Sequence, residues 1–202
     1  TTRGPDVAGM TEHNSVQQPL VDELVRLGWS YFPGKSLDRQ LEQVFIESEV
    51  VDALVRLNPD VAEVPARASE VVKLLRNLTF QVDDEGLVET NRDAMSWLRG
   101  LQTHKFVGAD AFRPVRLIDF ENFDNNSFHV VTELPCRNGD DEFRPDITLL
   151  INGMPLAFIE VKKPNNREGV LAERNRIITR CRNLRFRRFI NITQLMVFSN
   201  NM

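Results

Sequence analysis

The chain has 202 residues, 42% apolar and 27% charged, and carries a formal net charge of −4. This suits one large globular domain, or one domain with a helical extension, and excludes a low-complexity chain. No apolar run approaches the ~20 residues of a membrane helix, residues 1–10 lack the apolar stretch of a signal peptide, and the two cysteines, Cys136 and Cys181, lack metal-type spacing and point to a reduced, cytoplasmic setting.

Residues 1–10, rich in Gly, Pro and small side chains, are expected to be flexible. Residues 12–27 read as a helix with Val16, Leu20, Leu24 and Leu27 on one stripe and Gly28 as its stop. Pro19 conflicts with a helix interior and marks where the regular helix can begin. Residues 36–59 read as largely helical around Leu37, Leu41, Val44, Val50, Leu54 and Leu57, ending before Asn58-Pro59. Pro65 opens the next helix, whose apolar positions are Val71, Val72, Leu75 and Leu78. A short helix over 91–98 follows Thr90 as its N-cap. Near residue 113 the period changes. Val115 to Phe120 alternates as a strand, and Phe128 to Leu134 is rich in β-branched residues. Residues 146–151 and 156–161 are nearly all apolar and flank Asn152-Gly153, a hairpin turn signal. Residues 166–183 form a charged helix with Val170, Leu171, Ile177 and Ile178 as its inner stripe. Residues 192–198 form a last strand. Two apolar strands in succession imply a sheet covered on both faces. The expected architecture is α/β: a flexible segment at 1–10, a helical part at 11–110 and an α/β core at 111–202.

Charge is unevenly placed. Residues 162–188 hold ten basic and two acidic residues, net +8; the remainder holds 15 basic and 27 acidic, net −12. A basic face on an acidic body suits a polyanionic partner, although a solvated helix surface gives the same count.

The segment that carries chemistry runs from Arg144-Pro145-Asp146 to Glu160-Val161-Lys162-Lys163. An Asp opens one apolar strand, and a Glu and a Lys close the next. Burying unpaired charge costs several kcal/mol, so three charged groups at one end of an apolar pair need a compensating partner. Mg²⁺, which takes one or two carboxylates plus water and phosphate oxygens, is the best candidate. Glu160 and Lys162 are two apart and share a strand face. Two carboxylates holding the metal against a phosphodiester, with a lysine orienting the attacking water, is an arrangement suited to hydrolysis. The register is demanding: a plain two-residue turn at Asn152-Gly153 sets Asp146 opposite Ile159. A bulge, a longer loop or a twist at the open end is needed to bring Asp146 to Glu160. The bland alternative is a Glu160–Lys162 salt bridge at a sheet edge.

These residues resemble a known family. Arg144-Pro145-Asp146, Asn152-Gly153-Met154-Pro155-Leu156 and Glu160-Val161-Lys162-Lys163 closely resemble the nuclease signature of type I restriction enzyme R subunits. Residues 189–195, Val197-Phe198-Ser199-Asn200, Thr11-Glu12 and Leu27-Gly28-Trp29 extend the likeness over most of the chain. The resemblance implies a restriction-endonuclease-like (P-D…E-x-K) core, a central mixed sheet flanked by helices, with an N-terminal helical layer. It implies that Asp146 and Glu160 bind Mg²⁺, that Lys162 is catalytic, and that an acidic residue of the first helix, assigned to Glu12, lies near the metal. Many relatives carry Gln-x-x-x-Tyr on the helix after the lysine. Here that helix has Glu173, Arg174, Arg176 and Arg180, so the arginines, with Lys163, are expected to meet DNA phosphates in its place. The family further implies cleavage of double-stranded DNA and association with modification and specificity subunits. It also implies ATP-driven motor domains; no G-x-x-x-x-G-K-[ST] loop occurs here, so ATP binding is expected beyond residue 202. The competing reading is a non-catalytic scaffold that docks DNA or partner subunits.

Of the remaining candidates, His129 reads as a packed or capping residue, Glu133 as either solvent-facing or near the metal, and Asp140-Asp141-Glu142 as a solvated loop. Arg185, Arg187 and Arg188 suit either the DNA backbone or a docking surface.

Overall fold

The structure, a computed structural model, describes residues 17–162 and 167–199. The elements run α1 (Gln18–Arg26), β1 (Ser30–Pro33), α2 (Glu47–Leu57), α3 (Pro59–Glu63), α4 (Arg67–Glu85) and α5 (Leu87–Leu98). Then come β2 (Thr103–His104), β3 (Arg113–Pro114), β4 (Phe128–Thr132), β5 (Cys136–Asn138), β6 (Asp141–Phe143), β7 (Ile147–Ile151) and β8 (Met154–Val161). The last are α6 (Arg167–Arg182), α7 (Leu184–Ile190) and β9 (Leu195–Ser199). The fold is α/β. A mixed five-stranded sheet has the order β1-β4-β7-β8-β9. The outer pairs β1/β4 and β8/β9 are parallel and the inner pairs antiparallel.

Both sheet faces are covered, as the apolar sequences of β7 and β8 demand. The larger core packs Leu54 of α2, Val71 and Leu75 of α4, Leu98 of α5 and Phe189 of α7 with Val131, Leu150 and Phe158 of the sheet. On the other face Val21 of α1 packs with Val130, Ile147, Ile159 and Val161. α1 carries Pro19 in its first turn, where a missing N–H is tolerated. The helix predicted after Pro65 forms as α4, with Val71, Val72, Leu75 and Leu78 buried.

The Asn152-Gly153 turn is itself buried. Asn152, at φ 51°, has no solvent exposure. Its amide donates to Leu117 O (2.8 Å) and Asn126 Oδ1 (2.9 Å), and its side-chain oxygen accepts from Ser127 N (2.8 Å). Gly153 O accepts from Ile46 N at 2.9 Å, and a Cβ on Gly153 would lie 2.5 Å from Ile46 O. Glycine is therefore required twice, by its φ of 77° and by the close approach of α2.

Several local expectations are corrected. The helix expected over 36–59 is confined to α2. Residues 37–46 are irregular because tertiary partners take the backbone groups a helix would use. Ile46 N is bound to Gly153, Leu41 O accepts from Arg137 N (2.9 Å), and the Arg39 guanidinium donates to Gln43 O and Pro135 O. Residues 115–120 are buried in part but form no strand. Asn58 brackets Arg116 through both backbone groups (2.7 and 2.8 Å), and Asn152 takes Leu117 O. The Asn125 side chain and the Asn122 and Glu121 N–H groups bind the Asp119 carboxylate, closing the loop and holding that carboxyl below its usual range. α5 begins at Leu87, one turn earlier than expected. Thr90 is inside it, donating Oγ1 to Gly86 O at 2.9 Å, and is not its N-cap. β1 was not anticipated; it is a short, fully exposed edge strand ending in proline, with no alternation to reveal it. α7 was also not anticipated, and β9 starts at Leu195, after it. On α6, Ile177 is buried, but Leu171 (60% exposed) and Ile178 (37%) are not inner residues; the Val170 side chain lies outside the described residues.

Candidate active site

The β7–β8 hairpin positions the site. Ile151 pairs with Met154 and Leu150 with Pro155, as the two-residue turn dictates. The register then shifts between Leu150 and Leu149: Leu149 pairs with Ala157, Thr148 with Phe158 and Ile147 with Ile159. The irregularity falls at Pro155-Leu156, where proline has no N–H to give the ladder. One step outward, the shifted register sets Asp146 beside Glu160; the unshifted one would set it beside Ile159. The required bulge is present.

Hydrogen bonds fix the junction. Val161 N–H donates to Asp146 Oδ2 at 2.8 Å, so the carboxylate continues the ladder where β7 begins. The Asp146 carbonyl accepts from Glu133 N (2.9 Å) and Gln17 Nε2 (2.7 Å). Ile147, Ile159 and Val161 point into the smaller core under α1. By strand alternation Asp146, Glu160 and Lys162 take the opposite face. Glu160 is buried, at 4% exposure, and Asp146 is half-buried.

Lys162 leaves the strand as its N–H donates to Ser199 O of β9 at 2.8 Å. Its Nζ donates to Val161 O (3.1 Å) and lies 3.5 Å from Glu173 Oε2 of α6. The same Glu173 oxygen accepts from Arg176 Nη1 at 2.8 Å. Glu173 is buried and Arg176 is exposed.

Strand alternation thus assigns Asp146, Glu160 and Lys162 to one face at the open end of the hairpin. Glu12 and Lys163 lie outside the described residues, as does the side chain of Arg180. Arg174 and Arg176 face solvent on α6. Among the described residues no group of three or more His, Cys, Asp or Glu gathers as a metal-holding cluster.

The weighed alternatives separate cleanly. Glu133 is exposed and its carboxylate lies 4.0 Å from Arg144. His129 is a packed residue: Nδ1 lies 2.8 Å from Glu49 Oε2 and the ring meets Phe32 edge-on at 4.9 Å. The solvated loop expected at Asp140-Asp141-Glu142 is corrected: Asp140 is in the turn and Asp141 and Glu142 are in the second strand of the β5–β6 hairpin, where Glu142 pairs with Arg137 at 2.9 Å. Arg187 donates Nε to Cys181 O (2.8 Å), and Arg188 lies over the Phe80 and Phe189 rings while donating to Glu42 O at 3.0 Å. Both serve packing. The Arg185 side chain lies outside the described residues.

Two site residues escaped sequence reasoning. Gln17, buried at the N-terminus of α1, ties that helix to Asp146. Glu173 ties α6 to Lys162. An available signal for Glu173 was its spacing four before Ile177, on the inward face, where an apolar residue is the norm.

The family described as type I restriction enzyme R protein N terminus matches residues 9–202. The type I restriction enzyme HindI endonuclease subunit of Haemophilus influenzae is 31% identical over 166 residues, covering 77% of this chain and 15% of that protein. A putative type I restriction enzyme MjaIXP endonuclease subunit of Methanocaldococcus jannaschii is 26% identical over 175 residues, 81% of this chain and 16% of that protein. A second putative subunit of that organism, MjaVIIP, is 44% identical over 50 residues, covering 25% of this chain and 5% of that protein. The chain therefore spans about one sixth of the length of the first two relatives. With a match running over nearly its whole length, the chain belongs to the family of type I restriction enzyme R protein N-termini.

Proposed function

We propose that this domain is a Mg²⁺-dependent endonuclease that cuts double-stranded DNA as the nuclease part of an R subunit. The observation that carries the reading is the register shift in β7–β8, which sets Asp146 beside Glu160 on the face that also bears Lys162. In this reading the sheet is a P-D…E-x-K core. The names of the relatives, endonuclease subunits of type I restriction enzymes, favour the same activity.

The donor set fits Mg²⁺. Asp146 and Glu160 offer hard carboxylate oxygens, and no thiol or imidazole joins them among the described residues. A bound Mg²⁺ supplies Lewis-acid polarisation of the scissile phosphate and lowers the pKa of water. The chain's own residues do the rest. Asp146 is held in place by Val161 N–H, and its backbone by Gln17 and Glu133. Lys162 places a cation where negative charge develops on the phosphate and orients the attacking water. Arg174 and Arg176, with Lys163 and Arg180, hold DNA phosphates by charge and read no base.

In the assembled enzyme we infer motor domains beyond residue 202 that bind ATP, and modification and specificity subunits that find the target, in the cytoplasm. The test is Glu160→Ala in the full-length subunit within its complex. Plasmid cleavage falls by at least 100-fold while DNA-stimulated ATP hydrolysis continues. Unchanged cleavage leaves only a docking role.

A further inference from the structure

We propose that Glu173 is a positioning residue, which fixes Lys162 Nζ at the cutting site and so sets the rate of the cut. The inference rests on the nuclease reading of that site. Glu173 occupies an inward position of α6, one turn before the buried Ile177. A carboxylate buried at a place suited to an apolar residue weakens packing unless it serves a partner. Its two partners differ in kind. Arg176 is an i,i+3 neighbour on the same helix whose side chain is 60% exposed. Lys162 comes from the strand end, and its side chain, like that of Glu173, is mostly covered.

A lysine side chain has four rotatable bonds, and its ammonium is a point charge with no preferred direction. The contact to Val161 O ties Nζ only to the neighbouring residue. Glu173 adds an anchor from a separate rigid element, at 3.5 Å. The anchor also draws the ammonium toward α6. Without it, the anionic groups that strand alternation puts on the same face are Asp146 and Glu160, whose oxygens a metal would need. Misplacing a charged group by about 1 Å is enough to slow such chemistry by about 100-fold.

The experiment compares Glu173→Met, of similar length but with no acceptor oxygen, with Glu173→Gln, which keeps one. Both are made in the full-length subunit within its complex. At saturating plasmid DNA and Mg²⁺, Glu173→Met cuts at least tenfold slower and Glu173→Gln within threefold of the parent. The thermal midpoint stays at the parental value in both. Because both variants also release Arg176 from its ion pair, the comparison is made between rates at saturating DNA, where a change in DNA affinity does not enter. Should Glu173→Met fail to assemble, Glu173→Asp, one methylene short of reach, replaces it with the same expected loss. Parental cleavage by Glu173→Met, an equal loss in both variants, or a loss that tracks the thermal midpoint overturns the proposal. Glu160→Ala runs beside them: if it still cuts, the nuclease reading itself fails. If Glu160→Ala is inactive while Glu173→Met cuts normally, only the role of Glu173 fails.

Discussion

Asn152 and Gly153 tie the β7–β8 turn to the elements around it. Asn152 binds the 117, 126 and 127 backbone or side-chain groups, and Gly153 lets α2 approach within hydrogen-bond distance of the hairpin. The pair anchors the closed end of the strand pair whose open end carries Asp146 and Glu160. Gly153→Ala should destabilise the domain by about 3 kcal/mol, since a left-handed φ and a backbone clash coincide there. Chemical unfolding checks this, and a change under about 0.5 kcal/mol would show that the turn relaxes freely. At this scale the sequence was informative where residues had conspicuous company. Asp146, Glu160 and Lys162 stood out as charges beside apolar runs. Gln17 and Glu173 did not, because each acts through a contact far along the chain, and neither spacing nor composition reports such a contact.

Among the elements, the β7–β8 hairpin was the most legible. Its apolar runs, its turn and even the need for a bulge follow from the positions of Asp146 and Glu160. α6 was legible as a helix but not in its orientation. Arginines on all sides blur the apolar stripe, and Leu171 and Ile178 resemble core residues without being buried. Ile177→Ala should therefore cost about 2–4 kcal/mol, whereas Leu171→Ser should change stability by less than about 0.5 kcal/mol. Thermal unfolding of the two variants separates them; equal losses would mean that α6 is rotated. β1 carries no legible signal and residues 115–120 carry a misleading one, for one reason. Hydrophobic alternation reports which side chains are buried, not which group satisfies the backbone. An exposed edge strand carries no alternation, while asparagine side chains can serve a buried segment in place of a partner strand.

For the molecule as a whole, the basic window at 162–188 divides by position. Arg187 and Arg188 are committed to packing, and Arg174 and Arg176 remain at the surface. The net charge of −4 therefore coexists with exposed arginines on α6. Arg174→Ala and Arg176→Ala should each weaken DNA binding by the full complex and lower the slope of log affinity against log salt by about 1, independent of DNA sequence. An unchanged slope would remove α6 from the DNA path. The central claim, that Asp146 and Glu160 jointly hold a hard divalent cation, is tested most directly by anomalous diffraction from crystals of the full-length protein soaked with Mn²⁺. The account predicts a peak about 2.0–2.2 Å from oxygens of both carboxylates. An ordered site in which those carboxylates turn apart, with no peak between them, would contradict it.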